Sequence, residues 1–361
     1  MKISKSTAYA LGVCAAAALF VGCSSGSQSS GPVAVGLNPG HLGSRILGRP
    51  SLVSISFLRG VTPHADHRKS WISPDIKRIR NILFVSDAAT GDVYLYSQPG
   101  LALKGVLTGF SSPEGLCSDN SGNIWVANVQ ADQMVLLAHS GKVIRYRSQP
   151  KVPISCAIDP TTSNLAVAID PLVSGTAEIL IYPFASGMPK SYTDANVSAY
   201  QFLAYDPNGN LFVDGYDSSV GNFILLELPK NATSLRTVSI TGGTINYPGS
   251  LEWYTPENYL LVGDMPCGSS STACAHRVAI SGSVGSIFGV TNLLNSSGGP
   301  TCTIYQQVLT PGKAMKIAGS DYDTCGGPTS TYVWSYPAGG FPTSSNSSVD
   351  QVPAGAAISS K

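Results

Sequence analysis

The sequence is poor in charge. Lys, Arg, Asp and Glu make up 12% of its 361 residues, about half of the roughly 25% usual in globular chains. Disorder is excluded, because a disordered chain combines low hydrophobicity with high net charge, whereas here 43% of residues are hydrophobic and the formal net charge is +1. The near-zero balance argues against nucleic acid as a partner. Helical architectures are disfavoured as well: Glu and Lys are scarce, while 38 glycines, 24 prolines and 16 tyrosines favour short strands and turns. The apolar run at residues 8–22 is shorter than the roughly 20 residues of a membrane span. Across residues 71–361 a Gly-x-Ser-x-Gly elbow, a Walker loop and a paired Cys-x-x-Cys zinc pattern are all missing.

What is present begins with an address. Lys2 and Lys5 precede the apolar run, so residues 1–22 read as a signal peptide. The segment Leu19-Phe20-Val21-Gly22-Cys23 resembles a bacterial lipobox, although Phe20 stands where Leu is commoner. The resemblance implies that Cys23 is acylated and anchors the chain to a membrane without spanning it. Ser24, in place of Asp, implies outer-membrane sorting if the envelope is Gram-negative. An ordinary secretory signal with a coincidental cysteine is the alternative. Residues 23–70 then form a Ser/Gly-rich tether and a basic arm. Between residues 40 and 80, eight Lys/Arg face two Asp, a net of +6, whereas from residue 81 onward 12 Lys/Arg face 19 Asp/Glu, a net of −7. The arm either docks on acidic surface or phosphate headgroups near the anchor, or is a solvated spacer.

From residue 81 the chain repeats itself. Apolar segments centred on Val85, Val126, Val167, Val213 and Val262 recur at spacings of 41, 41, 46 and 49 residues, with a degenerate sixth copy at residues 316–321. That period matches a four-stranded propeller blade. Turns rich in Asn and Gly, at residues 119–123 and 206–210, supply the positive φ angles of tight hairpins just upstream of two copies. A further strand precedes each turn and another apolar strand follows each copy. Residues 113–119, 153–159, 200–206 and 248–254 provide inner strands, and residues 353–359 provide one for the first blade. The expected fold over residues 71–361 is therefore all-β: a six-bladed β-propeller of four-stranded antiparallel blades, its ring closed by the C-terminal strand. A rival assignment gives the first inner strand to residues 71–75.

The Pro-x-Gly-Leu-x-x-Asp strand, Gly-Asn turn and Ile-Trp-Val-Ala-Asn strand of residues 113–128 resemble an NHL-type or SMP-30-like blade. The resemblance covers residues 81–360 and speaks for fold far more than for function. In such propellers the inner strand begins, and the second strand ends, on one face of the disc. That topology gathers Glu114, Asn128, Asp170, Asp214, Asp217, Asp264, Asp321 and Asp323 on one loop-rich, acidic face, where binding usually resides. Asp and Asn that merely make turns are the structural alternative. Oxygen-rich loops suit Ca²⁺ or another divalent cation. SMP-30-like enzymes hold such a metal with a carboxylate, an Asn and an Asp, and Glu114, Asn128 and Asp214 have those types, but the local sequences that normally carry the ligands are not matched. Virginiamycin-lyase-like propellers rely on a His. Only His139 and His276 occur in the body, and His276 shows no carboxylate partner in the sequence.

Six cysteines remain after Cys23, an even count that in an exported chain points to disulfides. Cys267 with Cys274 and Cys302 with Cys325 would staple loops of the acidic face. Cys117 and Cys156 lie on neighbouring inner strands and either bridge or pack as thiols. The sequence thus leads to an envelope-anchored binding or scaffold lipoprotein with no catalytic constellation and no resident cofactor, whose partner is a protein or a small molecule. A metal-dependent lactonase or related hydrolase, and a structural part of an envelope complex, are the alternatives.

Overall fold

The computed structural model describes residues 69–170, 176–267, 272–322, 329–347 and 351–361. Cys23, the signal peptide and nearly all of the basic arm lie outside the described residues, as do Asp323 and Cys325.

Six sheets form a closed six-bladed propeller. From the inside outward, blade two is Pro113–Ser118, Ile124–Asn128, Gln133–Leu137 and Val143–Ser148; blade three is Val152–Ile158, Leu165–Asp170, Glu178–Tyr182 and Lys190–Tyr192; blade four is Val197–Tyr205, Leu211–Asp217, Phe223–Leu228 and Arg236–Thr237. Blade six is Gln307–Thr310, Lys316–Asp321, Ser330–Ser335 and Ser344–Asn346. Blade one takes its inner strand, Pro353–Ser360, from the C-terminus, followed outward by Asn81–Asp87, Asp92–Ser97 and Leu103–Leu107. The ring is thus closed by the strand that the sequence pattern selects. Its register runs antiparallel from Asn81↔Ser360 to Asp87↔Pro353, with one slip between Ser86 and Asp87.

The rival inner strand is corrected. Trp71–Ile72 pairs with Leu103–Leu107 at the opposite, outer edge of blade one. With Trp71 and Ile72 both exposed, this short strand covers an edge and does not fill the centre. Blade five also has five strands: Leu251–Tyr254, Tyr259–Asp264, Cys274–Ser281, Val284–Asn292 and the added Ser239–Thr241. The last pairs parallel with Val284–Asn292, from a point in the chain before the rest of its blade.

The apolar copies are the second strands, and their lack of alternation has a simple cause. Each lies between its inner and third strands and is covered by the neighbouring blade on either face. Ile124–Asn128, Leu165–Asp170 and Tyr259–Asp264 are therefore buried at every residue, as expected of a short continuous apolar run. The outer strands alternate or face solvent, as in Val143–Ser148. Trp125 and Trp334 are among the largest fully buried side chains.

The centre of the ring is tight. At Gly355 an added Cβ would sit 2.2 Å from the Glu114 carbonyl oxygen, and at Gly115 one would sit 2.6 Å from Ser155 Cβ. Inner strands of adjacent blades thus approach through glycine. The Gln306 side chain reaches across to blade two and blade one: its Oε1 accepts from the amides of Leu116 at 3.0 Å and Ala356 at 3.1 Å, and its Nε2 donates to the Leu116 carbonyl at 2.7 Å. Cys117 and Cys156 are disulfide-bonded, joining the inner strands of blades two and three. His139 adds a tie at the ring closure: its Nε2–H donates to the Ile79 carbonyl at 2.8 Å, and its Nδ1 lies 2.7 Å from the Ser359 hydroxyl.

Candidate functional site

Every second strand ends on an acid or its amide: Asp87, Asn128, Asp170, Asp217, Asp264 and Asp321. These ends share one face, and the reason for the residue type lies in the backbone they meet. Where a chain segment turns into an inner strand, its first amides lack sheet partners, and a buried amide without an acceptor is costly. The strand-end oxygens accept them. Asp87 Oδ2 takes the amide of Val352 at 3.1 Å and that of Gln351, while its Oδ1 takes Ala89 and Thr90 at 3.0 Å each. Asn128 Oδ1 takes Ser111 at 2.6 Å. Asp264 takes Tyr247 at 3.0 Å and Asn246 at 3.1 Å. Asp321 Oδ1 takes Thr303 at 3.0 Å and Cys302 at 3.2 Å. In each of these four blades the strand-end side chain fastens the segment that leads into the same blade's inner strand.

Asp217 instead caps its own turn, accepting from Ser219 at 2.8 Å and Val220 at 3.1 Å. Asp214 lies deeper and links two blades, its oxygens accepting from the amides of Phe202 at 2.8 Å and Gly249 at 3.1 Å. Burial raises the Asp214 carboxyl well above the usual carboxylate range, and raises that of Asp87 as well. With a backbone amide on each oxygen, the Asp214 carboxyl is already engaged by the fold and is poorly placed to bind a cation. Glu114 is fully buried beside Gly355, and Asp170 is buried.

One place on this face converges differently. Asp264, Cys267, Cys274 and His276 are all buried and each offers a donor atom, all within 4.8 Å of one another. Strand register brings them together, because Val262 pairs with His276 and Asp264 with Cys274 in adjacent strands of blade five. Cys267 and Cys274 form the expected disulfide. His276 Nε2 lies 3.4 Å from Cys267 Sγ, 3.5 Å from Cys274 Sγ and 3.2 Å from Asp264 Oδ2. His276 therefore does have a carboxylate partner, in correction of the expectation from sequence. Asp264 stands 12 residues upstream, beyond local view, but the pattern Asp-x-x-Cys-x₆-Cys-x-His carried the signal. Cys302 is also disulfide-bonded; its expected partner Cys325 lies outside the described residues.

Two further residues had no sequence signal. Gln306 bridges the centre as described. Glu252, on the inner strand of blade five, accepts the amide of Leu309 in blade six at 2.6 Å. Burial pushes its carboxyl up to about 8.

The fold and this face define a six-bladed β-propeller. No protein-family model matches the chain, and no curated protein does. Among solved structures, it is similar to a protein of unknown function from Bacteroides caccae, at 12% identity and a TM-score of 0.57, over 78% of this chain and 100% of that one. It is also similar to a functionally unknown protein from Desulfotomaculum acetoxidans, at 13% identity and a TM-score of 0.53, over 77% and 98% of the two chains. A streptogramin B lyase matches at 13% identity and a TM-score of 0.43, over 75% and 74%. At such identities the likeness is one of fold.

Proposed function

We propose that the chain is a non-catalytic binding or scaffold protein, held at a bacterial envelope through an acylated Cys23, which engages its partner through the acidic, disulfide-stapled loop face. The observation that supports this most is the use of the strand-end carboxylates. Asp87, Asp264 and Asp321 hold the segments that lead into the inner strands of their blades, so the face is a rigid frame from which loops are displayed. Rigid frames with variable loops are the usual basis of recognition. A lactonase of the SMP-30-like type draws no such support, because both Asp214 oxygens accept backbone amides of the frame.

Two measurements test the reading. Anchoring through Cys23 requires that the mature chain carry acyl groups by mass spectrometry, and that Cys23→Ala move it from the membrane to the soluble fraction. A photo-crosslinking residue placed at Val220, on the loop face, must form a discrete adduct in cells, while one at Asn208, on the opposite face, must not. Adducts at Asn208 alone, or a Cys23→Ala chain that stays with the membrane, would overturn it.

A further inference from the structure

The donor cluster at the end of blade five has a composition that the strand-end carboxylates elsewhere lack: two sulfurs, one imidazole nitrogen and one carboxylate oxygen, all buried. We propose that reduction of the Cys267–Cys274 disulfide converts this cluster into a four-coordinate site for a borderline divalent cation of the Zn²⁺ type. The inference stands independently of the envelope role above.

Geometry is the first argument. A tetrahedral Zn²⁺ with arms of about 2.3 Å to sulfur and about 2.0 Å to nitrogen or oxygen has S···N edges of about 3.5 Å and an N···O edge of about 3.3 Å. The distances from His276 Nε2 are 3.4 and 3.5 Å to the two sulfurs and 3.2 Å to Asp264 Oδ2. Three edges of the tetrahedron are therefore already in place. Of the other three edges, the S···S edge, about 3.8 Å in such a site, is prevented by the covalent bond, and the two from Asp264 to the sulfurs lie within 4.8 Å. With Cα atoms 5.7 Å apart, the thiols can separate by side-chain rotation while the strands stay paired.

Donor chemistry is the second. Thiolates and imidazole select Zn²⁺-like ions over Ca²⁺ and Mg²⁺, which prefer oxygen alone. The third is outer support. The amides of Tyr247 and Asn246 hold the Asp264 carboxylate against His276, the kind of second layer that orients metal ligands.

The chemistry balances with an external dithiol as reductant. Two electrons and two protons pass from the dithiol, which is left as a disulfide, to the S–S bond of Cys267 and Cys274, giving two thiols. The cation then displaces both thiol protons to solvent as two S–metal bonds form. Oxidation by a disulfide of the medium runs the sequence backwards and releases the ion. The same four side chains thus hold either a covalent staple or a metal, according to the redox state of the compartment.

The test uses the full chain, titrated with Co²⁺ before and after reduction by a phosphine. The oxidised chain should bind no Co²⁺. The reduced chain should take up one equivalent, with a thiolate-to-cobalt charge-transfer band and the intense visible bands of a tetrahedral ion, and Zn²⁺ should displace it. His276→Ala should weaken binding by at least about tenfold. Bound Zn²⁺ should shield Cys267 and Cys274 from alkylation but leave the alkylation of Cys117 and Cys156 unchanged. Equal binding by the oxidised chain, no binding by the reduced one, or shielding confined to Cys117 and Cys156 would overturn the proposal. Shielding is measured on the unsubstituted chain, so it decides the matter even if His276→Ala fails to fold.

Discussion

Replacing Glu252 by Gln should stabilise the propeller, and by an amount that grows with pH. Glu252 sits between the inner strands of blades five and six, accepts the Leu309 amide, and has its carboxyl pushed by burial from 4.5 to about 8. Because the folded chain prefers the protonated acid, it binds more protons than the unfolded chain between those two values. Stability from this group is therefore fully present below about 4.5 and declines as pH rises toward 8. Each unit is worth about 1.4 kcal/mol, so holding the group protonated in the folded chain costs about 3 kcal/mol at pH 7. Gln has the same shape, keeps a carbonyl oxygen for the Leu309 amide, and does not titrate. Urea unfolding of both chains at pH 5, 6, 7 and 8, with disulfides oxidised, isolates the effect as a difference in which other titrations cancel. The gap between E252Q and the unsubstituted chain should be below about 1 kcal/mol at pH 5 and reach about 3 kcal/mol at neutrality. Two stability profiles running parallel across this range, within about 0.5 kcal/mol, would refute the assignment of Glu252 as a half-buried inter-blade acid with a raised pKa.

Two other predictions concern the closure of the ring. Gly355→Ala places a methyl group 2.2 Å from the Glu114 carbonyl oxygen and 2.3 Å from Leu116 Cδ1, so it should destabilise the chain by about 1–3 kcal/mol through overpacking; a loss in denaturant unfolding under about 0.5 kcal/mol would show that the inner strands are free to part. His139 has its pKa lowered by burial, so the unfolded chain takes up a proton near 6.5 that the folded ring resists. Stability from His139 should be present above that value and lost as pH falls through it, and His139→Gln should flatten the acid limb of the melting-temperature profile. An unchanged limb would remove His139 from the closure.

The repeat was legible because the physics behind it is local. A second strand covered on both faces must be apolar at nearly every position, and Leu83, Trp125, Val167, Phe212 and Leu261 all stand in such runs. The C-terminal closing strand could be read for a related reason, because Pro353–Ser360 carries the small, apolar pattern that the centre demands. The edge positions of the two extra strands could not, and residues 71–72 were legible as a strand but not as an outer one. Ser239–Thr241 pairs parallel with residues 284–286, some 45 positions later, and a three-residue polar strand leaves no local trace of so distant a partner. The site divides along the same line. The acids at strand ends were visible as residues, but their partners are amides brought in by topology: the carboxylate of Asp87 accepts from Val352, 265 positions away. Glu252 looked like any strand residue because its environment is made by blade six.

The strand-end carboxylate also explains how a structural device becomes a chemical one. At Asp87 both oxygens are engaged with amides, two of them from the local turn and two from the segment entering the closing strand. At Asp264 one oxygen, Oδ1, accepts the Tyr247 amide and keeps the fold, while Oδ2 lies between the Asn246 amide and His276. The difference arises in the third strand, which at blade five begins at Cys274 and places His276 opposite Val262. A carboxylate already fixed by the fold is a pre-oriented ligand, since little entropy remains to be lost when a second group docks against it. Cys274 and His276 on the adjacent strand, with Cys267 three residues beyond Asp264, complete a donor set without any rearrangement of the sheet. In a fold whose acids chiefly serve the backbone, a functional site thus arises where a neighbouring strand supplies soft donors to an acid that the architecture has already placed.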